Sequence, residues 1–496
     1  MNEKVPLKLL ATGVPGLDSI LGGGLPEFSF NLIAGPPGSG KTTLAHQLMF
    51  ALATRERRAL FFTVLGEPPL KVLRYQQQFS YFDPDKVGDT IRYVNLGDVV
   101  ASGRLNQVLA AIMKEVESFA PGLVFVDSFL SIMLEMTTQT ADSLSPQHFI
   151  QHLGTLLSSW QVTSFLIGGC LAETESQAVF TVADGLLSLS QSVYRNSMVR
   201  KVQVLKMRGQ ATSPGIHTFR ITNDGIEVFS AAVIPGVAEA VQAACVSPPS
   251  KGRLAMGIPG LDEMLGGGLP SGYSLLVAGP SGSGKTILAT AFLTEGVRRG
   301  EPGVIVAFEQ TPSQSWSRTI DDLVRTGKIG LINTRLLDLS IDEIVQRLVD
   351  LVQNMKATRV VIDSLSGFEL SVAPTVREDF RESLFRMVSV LSGLGVTVLM
   401  TSELEDRYTD LRFSAYGSAF LTDAIIVQRY IEIHSCLKRV MAVVKVRASA
   451  HSNLLRQYEI TEKGITVGDP MSEYEGLLGG RPRDLKPHQL LPGKPR

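Results

Sequence analysis

Residues 13–43 read GVPGLDSILGGGLPEFSFNLIAGPPGSGKTT, and residues 257–287 read GIPGLDEMLGGGLPSGYSLLVAGPSGSGKTI. The two blocks run in constant register without a gap, Gly13 matching Gly257 and Lys41 matching Lys285. Their composition is varied, so the match marks a tandem duplication rather than shared low complexity. The 496 residues therefore read as two copies of one domain. The first copy is expected over 1–235 and the second over 254–470. A linker over 236–253 passes from Ala-rich to Pro/Ser-rich, and residues 471–496, rich in Gly, Pro and basic residues, read as a flexible tail.

Each block closes on G-x-x-x-x-G-K-[ST], between a short apolar run and a helical pattern. Gly35, Gly38, Ser39, Gly40, Lys41, Thr42 and Thr43 form the first loop. Gly279, Gly282, Ser283, Gly284, Lys285, Thr286 and Ile287 form the second. The glycines let successive backbone N–H groups converge on phosphates, and the helix N-terminus adds positive potential. Lys41 and Lys285 are expected to reach the β- and γ-phosphates, and Thr42 and Thr286 to ligate Mg²⁺. An acid at the end of a buried strand should complete each metal site. GLVFVDS supplies Asp127 and RVVIDS supplies Asp363. A strand-end aspartate is often only a cap, but here each follows a phosphate loop. Both copies are expected to bind a nucleoside triphosphate with Mg²⁺.

Within the second copy the apolar runs YSLLVAG, GVIVAFE, RVVIDS and VTVLMTSE alternate with amphipathic stretches. Continuous apolar strands separated by helices predict an α/β fold, a mostly parallel twisted sheet covered on both faces. The later stretch AIIVQRYIEIHSCLKRVMAVVKVRAS alternates without helices and predicts antiparallel strands added to that sheet. Both copies end on a Lys-x-Arg pattern, Lys206 and Arg208 in LKMRG and Lys445 and Arg447 in VKVRA. That spacing on a strand puts both cations on one face.

Hydrophobic residues make up 44% and charged residues 19%, the balance of a globular chain. No apolar run approaches the ~18 residues of a membrane span, and the first residues lack a secretory apolar core. Cys170, Cys245 and Cys436 are too dispersed for a disulfide framework or a zinc site. These features predict a cytoplasmic protein. A net charge of −1 argues against a nucleic-acid partner, which wants several cations on phosphates.

The duplicated GxPGLDxxLGGGLP block ahead of a phosphate loop resembles the KaiC family of RecA-like ATPases, over roughly residues 10–468. The resemblance implies tandem RecA-like domains, a double-ring homohexamer and ATP bound between neighbouring subunits. It implies that the Lys-x-Arg pair reaches the neighbour's γ-phosphate, as an arginine finger would. It also implies an autokinase and autophosphatase C-terminal ring, and protein partners of the KaiA and KaiB kind.

Three departures from the family pattern qualify this. The family has a Glu-Glu pair after the strand that follows the phosphate loop, its first Glu acting on water. The second copy reads Glu309-Gln310, and the first, aligned on the proline three residues on, reads Gly66-Glu67. Glu309 is expected to be the catalytic base; Glu67 substitutes only if the strand end slips by one residue. Losing such a base generally costs a factor of about 10²–10⁴. Secondly, Thr401-Ser402 in VTVLMTSE becomes Ile167-Gly168 in VTSFLIGGC. The first copy is therefore expected to bind ATP and hydrolyse it weakly. Thirdly, the family's phosphorylated Ser-Thr pair, just before Thr422-Asp423, is replaced by Ala419-Phe420, which cannot accept phosphate. Ser414 and Ser418 are the remaining hydroxyls nearby.

Besides a KaiC-like ATPase with possible serine/threonine autokinase activity in signalling or timekeeping, two alternatives share the fold. One is a RadA- or DnaB-like DNA-dependent ATPase. The other is a nucleotide-gated scaffold without significant turnover. Fold sharing alone does not choose between them.

Overall fold

A computed structural model describes residues 7–64, 69–101, 105–128, 146–169, 182–194, 197–230, 252–308, 318–333, 340–371, 377–404, 422–462, 464–476 and 483–484. The chain divides into two units, Met1–Val233 and Ile234–Arg496. Each is built around its own nine-stranded sheet.

In the first unit the strands are β1 Phe30–Ala34, β2 Ala59–Thr63, β3 Ile91–Asn95, β4 Leu123–Asp127, β5 Thr163–Gly168, β6 Gly185–Tyr194, β7 Ser197–Met207, β8 His217–Thr222 and β9 Gly225–Phe229. They lie in the order β3-β2-β4-β5-β1-β6-β7-β8-β9. The strands from β3 to β6 are parallel, and β7, β8 and β9 continue the sheet as antiparallel hairpins. In the second unit they are β10 Ser274–Gly279, β11 Gly303–Ala307, β12 Ile329–Asn333, β13 Arg359–Asp363, β14 Thr397–Glu403, β15 Ala424–Ile433, β16 Cys436–Val446, β17 Arg456–Thr461 and β18 Gly464–Pro470. Their order, β12-β11-β13-β14-β10-β15-β16-β17-β18, repeats the first sheet strand for strand. These are two RecA-like sheets, and the antiparallel extension follows from the alternating stretch that lacked helices.

The parallel strands are apolar throughout because helices cover both faces. Leu123–Val126 of β4 and Val304–Val306 of β11 are almost fully buried. The helices place apolar residues on one side only. In the helix Leu105–Phe119, Leu105, Val108, Leu109, Ile112, Val116 and Phe119 are buried, at spacings of one and two turns. Each sheet thus has a core on both faces, one beneath the helix that follows β1 or β10 and one on the far side.

The GLDxxLGGGLP blocks are structural. Asp18 accepts the Thr12 amide at 2.9 Å and Asp262 the Met256 amide at 2.7 Å, each tying a short apolar helix to the segment before it. The linker read over 236–253 lies outside the described residues except for 252–253. The beginning of the segment read as a tail is built into the second unit instead. Met471 N donates to Leu455 O, and Met471 and Tyr474 pack against Ile431, Ile433 and Val440. Its apolar side chains were too widely spaced to show a period.

Candidate nucleotide site

The phosphate loops follow β1 and β10, the central parallel strands, and open helices α1 Lys41–Leu52 and α2 Lys285–Arg298. Gly40 and Gly284 precede these helices at φ 99° and 96°, a left-handed conformation that favours glycine. A Cβ on Gly40 would also meet Ile221, and one on Gly284 would meet Ile460, each at 2.9 Å. Both loops therefore need glycine here for conformation and for space.

Lys41 Nζ donates to Pro36 O at 2.8 Å, and Lys285 Nζ to Gly279 O and Pro280 O at 2.8 Å each. Each ammonium group is thus held against its own loop carbonyls. Gly35 and Gly38 shape the first loop, with Gly38 against the Gln191 side chain, whose amide donates to Pro37 O. Gly282 lies against Tyr430, and Ser283 is fully buried, donating to Gln428 Oε1 at 3.1 Å. Ser39 is equally buried but its Oγ has no partner, because Leu189 stands at the rung where the second copy has Gln428. Thr43 is half-buried, and Ile287 packs against the core under α2.

At both loops the threonine that follows the lysine meets the strand-end aspartate. Thr42 Oγ1 donates to Asp127 Oδ2 at 2.7 Å, and Thr286 Oγ1 to Asp363 Oδ2 at 2.9 Å. Both aspartates end their strands, and each is joined to the next serine by a cis peptide bond. In the second copy a cleft of about 260 Å³ opens here, lined by Lys285, Thr286, Asp363, Ser364 and Glu403 among others. Hard oxygen donors, few in number and beside a phosphate cradle, suit Mg²⁺, which takes one or two protein ligands plus substrate phosphates. A separate groove of about 500 Å³ lies between Lys438 and Tyr474 and contains no loop residue.

The strand register tests the comparison of Thr401 with Ile167. Ile33 pairs with Ile167 on β5 and Val277 with Thr401 on β14, so the two positions are equivalent. Thr401 Oγ1 donates to Asp363 Oδ1 at 2.5 Å. Asp363 thus holds a threonine hydroxyl on each carboxylate oxygen. In the first copy Ile167 is paired with Asp127 and has no hydroxyl to give. Ser402 does not join this arrangement: the next residue of a strand faces the other way, and its Oγ is buried without a partner. Sequence reading missed Glu403 as a cleft residue, although the contrast with Gly169 was available.

The structure does not bring the Lys-x-Arg pairs to their own phosphate loops. Lys206 pairs with Leu186 and Lys445 with Ile425, on the rungs of Leu32 and Leu276, and the chain then runs on to Arg208 and Arg447 at the end where β1 and β10 begin. The loops open three residues further on, roughly 10 Å from the lysine rungs, and the arginines lie further from them still. A β-bulge at Leu205 and another at Val444 immediately precede the lysines. Lys445 Nζ donates to Thr422 O at 2.6 Å. Burial lowers the pKa of Lys206 and of Lys445, and the adjoining arginine lowers it further. Asp184 and Asp423, which sequence reading did not single out for this role, oppose that shift. Glu309 and Glu67, with Gln310 and Gly66, lie outside the described residues, as do Ser414, Ser418, Ala419 and Phe420.

Two mostly parallel sheets, each with a P-loop after the central strand and an aspartate ending a strand two places away, define a tandem RecA-like P-loop protein. A family model described as "ATPase: KaiC" matches residues 10–233 and again residues 254–472. The chain belongs to the KaiC ATPase family. It is similar to the "Circadian clock oscillator protein KaiC" of Rippkaea orientalis, 27% identical, covering 97% of this chain and 92% of that protein. It is likewise similar to the "Circadian clock protein KaiC3" of Synechocystis, 27% identical over 97% of this chain and 96% of that protein. The KaiC of Picosynechococcus is 26% identical, over 95% of this chain and 92% of that protein.

Proposed function

We propose that this protein is a KaiC-like ATPase whose second copy turns over ATP while the first binds ATP to hold a homohexamer together. The observation that carries this reading is the bracket of Thr286 and Thr401 on Asp363, where the first unit has Thr42 on Asp127 but Ile167 at the rung of Thr401. Thr286 and Asp363 would hold Mg²⁺, which neutralises charge on the β- and γ-phosphates when bound. Lys285 leaves the loop carbonyls for phosphate oxygens, and Thr401 keeps Asp363 oriented by donating to it. Glu309 orients the attacking water, a role drawn from its frame in the sequence. Lys445 and Arg447, too far from their own loop, serve the neighbouring subunit's site.

The relatives' names support a timekeeping role; signalling, a cytoplasmic location and KaiB-like or other signalling partners extend the reading of the sequence. Among the described residues no helix is long and apolar enough to cross a membrane. Autokinase activity, if retained, uses Ser418 or Ser414, since Ala419 and Phe420 have no hydroxyl.

The test is ATP turnover of Glu309→Gln and Glu67→Gln, with intact-mass analysis after ATP incubation. Loss in the first variant alone supports the asymmetry. Equal losses overturn it, and stimulation by single-stranded DNA would favour the DNA-dependent alternative.

A further inference from the structure

In both units one aspartate fastens the arginine of the Lys-x-Arg pair to the strand that carries the phosphate loop. Asp184 Oδ2 accepts the Phe30 amide at 3.0 Å, and Asp184 N donates to Phe30 O at 2.8 Å. Asp184 O then accepts the Arg208 amide at 2.9 Å, and Oδ1 accepts Arg208 Nη1 at 3.1 Å. Asp423 repeats each contact. Its Oδ2 accepts the Ser274 amide at 3.0 Å, and its amide donates to Ser274 O at 2.9 Å. Its carbonyl accepts the Arg447 amide at 2.8 Å, and Oδ1 accepts Arg447 Nη1 at 3.2 Å. One carboxylate oxygen grips the strand and the other grips the guanidinium, in two units that have diverged over most of their sequence.

A strand start needs only a polar acceptor for its amide, which an asparagine supplies. The repeated use of a carboxylate, with its second oxygen on the guanidinium, is a feature that capping does not require. The arginines are more than half exposed at their side chains, and this contact holds the fork at its inner end. A charge-assisted bond is worth more than a neutral one and fixes direction as well as position. A preset guanidinium also loses less freedom when it meets a phosphate.

We propose that Asp184 and Asp423 are positioning residues that aim Arg208 and Arg447 at the nucleoside triphosphate of the neighbouring subunit. This rests on the inter-subunit reading of the Lys-x-Arg pair. Phe30 and Ser274 begin the strands that end in the phosphate loops, so each aspartate couples the reach toward one neighbour's nucleotide to the strand under its own.

The experiment is a double-mutant cycle on the full-length protein, with kcat, KM for ATP, assembly state and melting temperature measured for each member. Asp423→Asn keeps an acceptor for the Ser274 amide and removes the charge on Arg447. It should lower kcat about tenfold, the scale of one charge-assisted bond, while KM, assembly and melting temperature stay near those of the parent. Asp423→Glu, which keeps the charge, should recover part of that loss. In an Arg447→Ala background, Asp423→Asn should have no further effect, because the aspartate acts only through the arginine. Multiplicative losses in the double variant, or an unchanged kcat in Asp423→Asn, overturn the proposal. An unchanged kcat in Arg447→Ala overturns the inter-subunit reading beneath it, and the proposal with it.

Discussion

Thr401 donates its hydroxyl to Asp363 at 2.5 Å, and the equivalent rung of the first unit sets Ile167 beside Asp127. A bond from a neutral donor to a carboxylate contributes roughly 1.5–3 kcal/mol when it is buried, equivalent to a factor of about 10–10² in rate if it acts on the transition state. Thr401→Ile should therefore lower ATP turnover by about that factor, with nucleotide still bound. Steady-state kinetics and equilibrium binding of a fluorescent ATP analogue separate the two effects. A variant that loses binding and turnover together would show that the hydroxyl shapes the cleft rather than the reaction.

The two loop lysines should give different phenotypes from the same substitution. Both sit over their own loop carbonyls, and both are expected to exchange those contacts for phosphate oxygens. Lys285→Ala should abolish most turnover while ATP-dependent assembly persists. Lys41→Ala should abolish ATP-dependent assembly at low protein concentration. Light scattering coupled to size exclusion, with and without ATP, reads the second outcome. Dissociation in Lys285→Ala with an intact Lys41→Ala assembly would reverse the assignment of the units.

Much of this site was legible because phosphate loops are sequence-local. A strand, a glycine turn and a helix start fall within a dozen residues, and the duplication supplied a second copy to align. The Thr–Asp–Thr bracket was only half legible. Asp363 was found by its strand end, but Thr401 lies on another strand, and only sheet register shows that they meet. The same limit hid Asp184: it touches Phe30, far back in the chain, and looks like an ordinary acid before a glycine. Alternation placed Lys206 and Arg208 on one face, but it could not show that their end of the sheet is opposite the phosphate loop. That follows from the parallel pairing of β6 with β1.

His46 gives the first unit a pH dependence that the second lacks, since Thr290 occupies the matching position. His46 is fully buried on α1, one turn beyond Thr42, stacked on Phe61 with ring centroids 4.4 Å apart. Its Nδ1 lies 2.7 Å from Thr42 O, and Nε2 has no partner. Burial lowers its pKa from 6.5 to about 4, against the opposing effect of the Thr42 carbonyl. Above the unfolded value both states are neutral and pH has no effect through this group. As pH falls from about 6.5 to about 4 the unfolded chain takes up a proton that the folded one refuses, so stability is lost across that window. The loss approaches about 3 kcal/mol at the acid end. Chemical denaturation between pH 4 and 7 should show it, and His46→Phe should flatten the curve. An equally steep curve in the variant would assign the dependence to other groups.

Among the described residues Arg359 is the largest fully buried side chain of the second unit, and every branch of its guanidinium is bonded. Nε and Nη2 donate to Glu301 Oε2 at 2.8 and 2.6 Å, and Nη1 donates to Ala255 O and Phe292 O at 2.8 and 2.9 Å. The cation also lies 4.5 Å from the centroid of the Phe292 ring. It thus joins the start of β13 to α2, to the turn before β11 and to the segment that enters the unit. The first unit has Leu123 at this register and manages without a charge. Removing one partner of a buried pair costs about 3–5 kcal/mol, whereas an apolar replacement of similar volume often costs much less. Arg359→Ala should therefore destabilise the second unit by about 3–5 kcal/mol, through a cavity and two orphaned carbonyls. Arg359→Leu should lose less, because Glu301 keeps access to water while leucine refills part of the space. Urea unfolding of the two variants decides the matter. Equal losses would mean that the bonded carbonyls, and not the filled volume, hold this corner of the unit together.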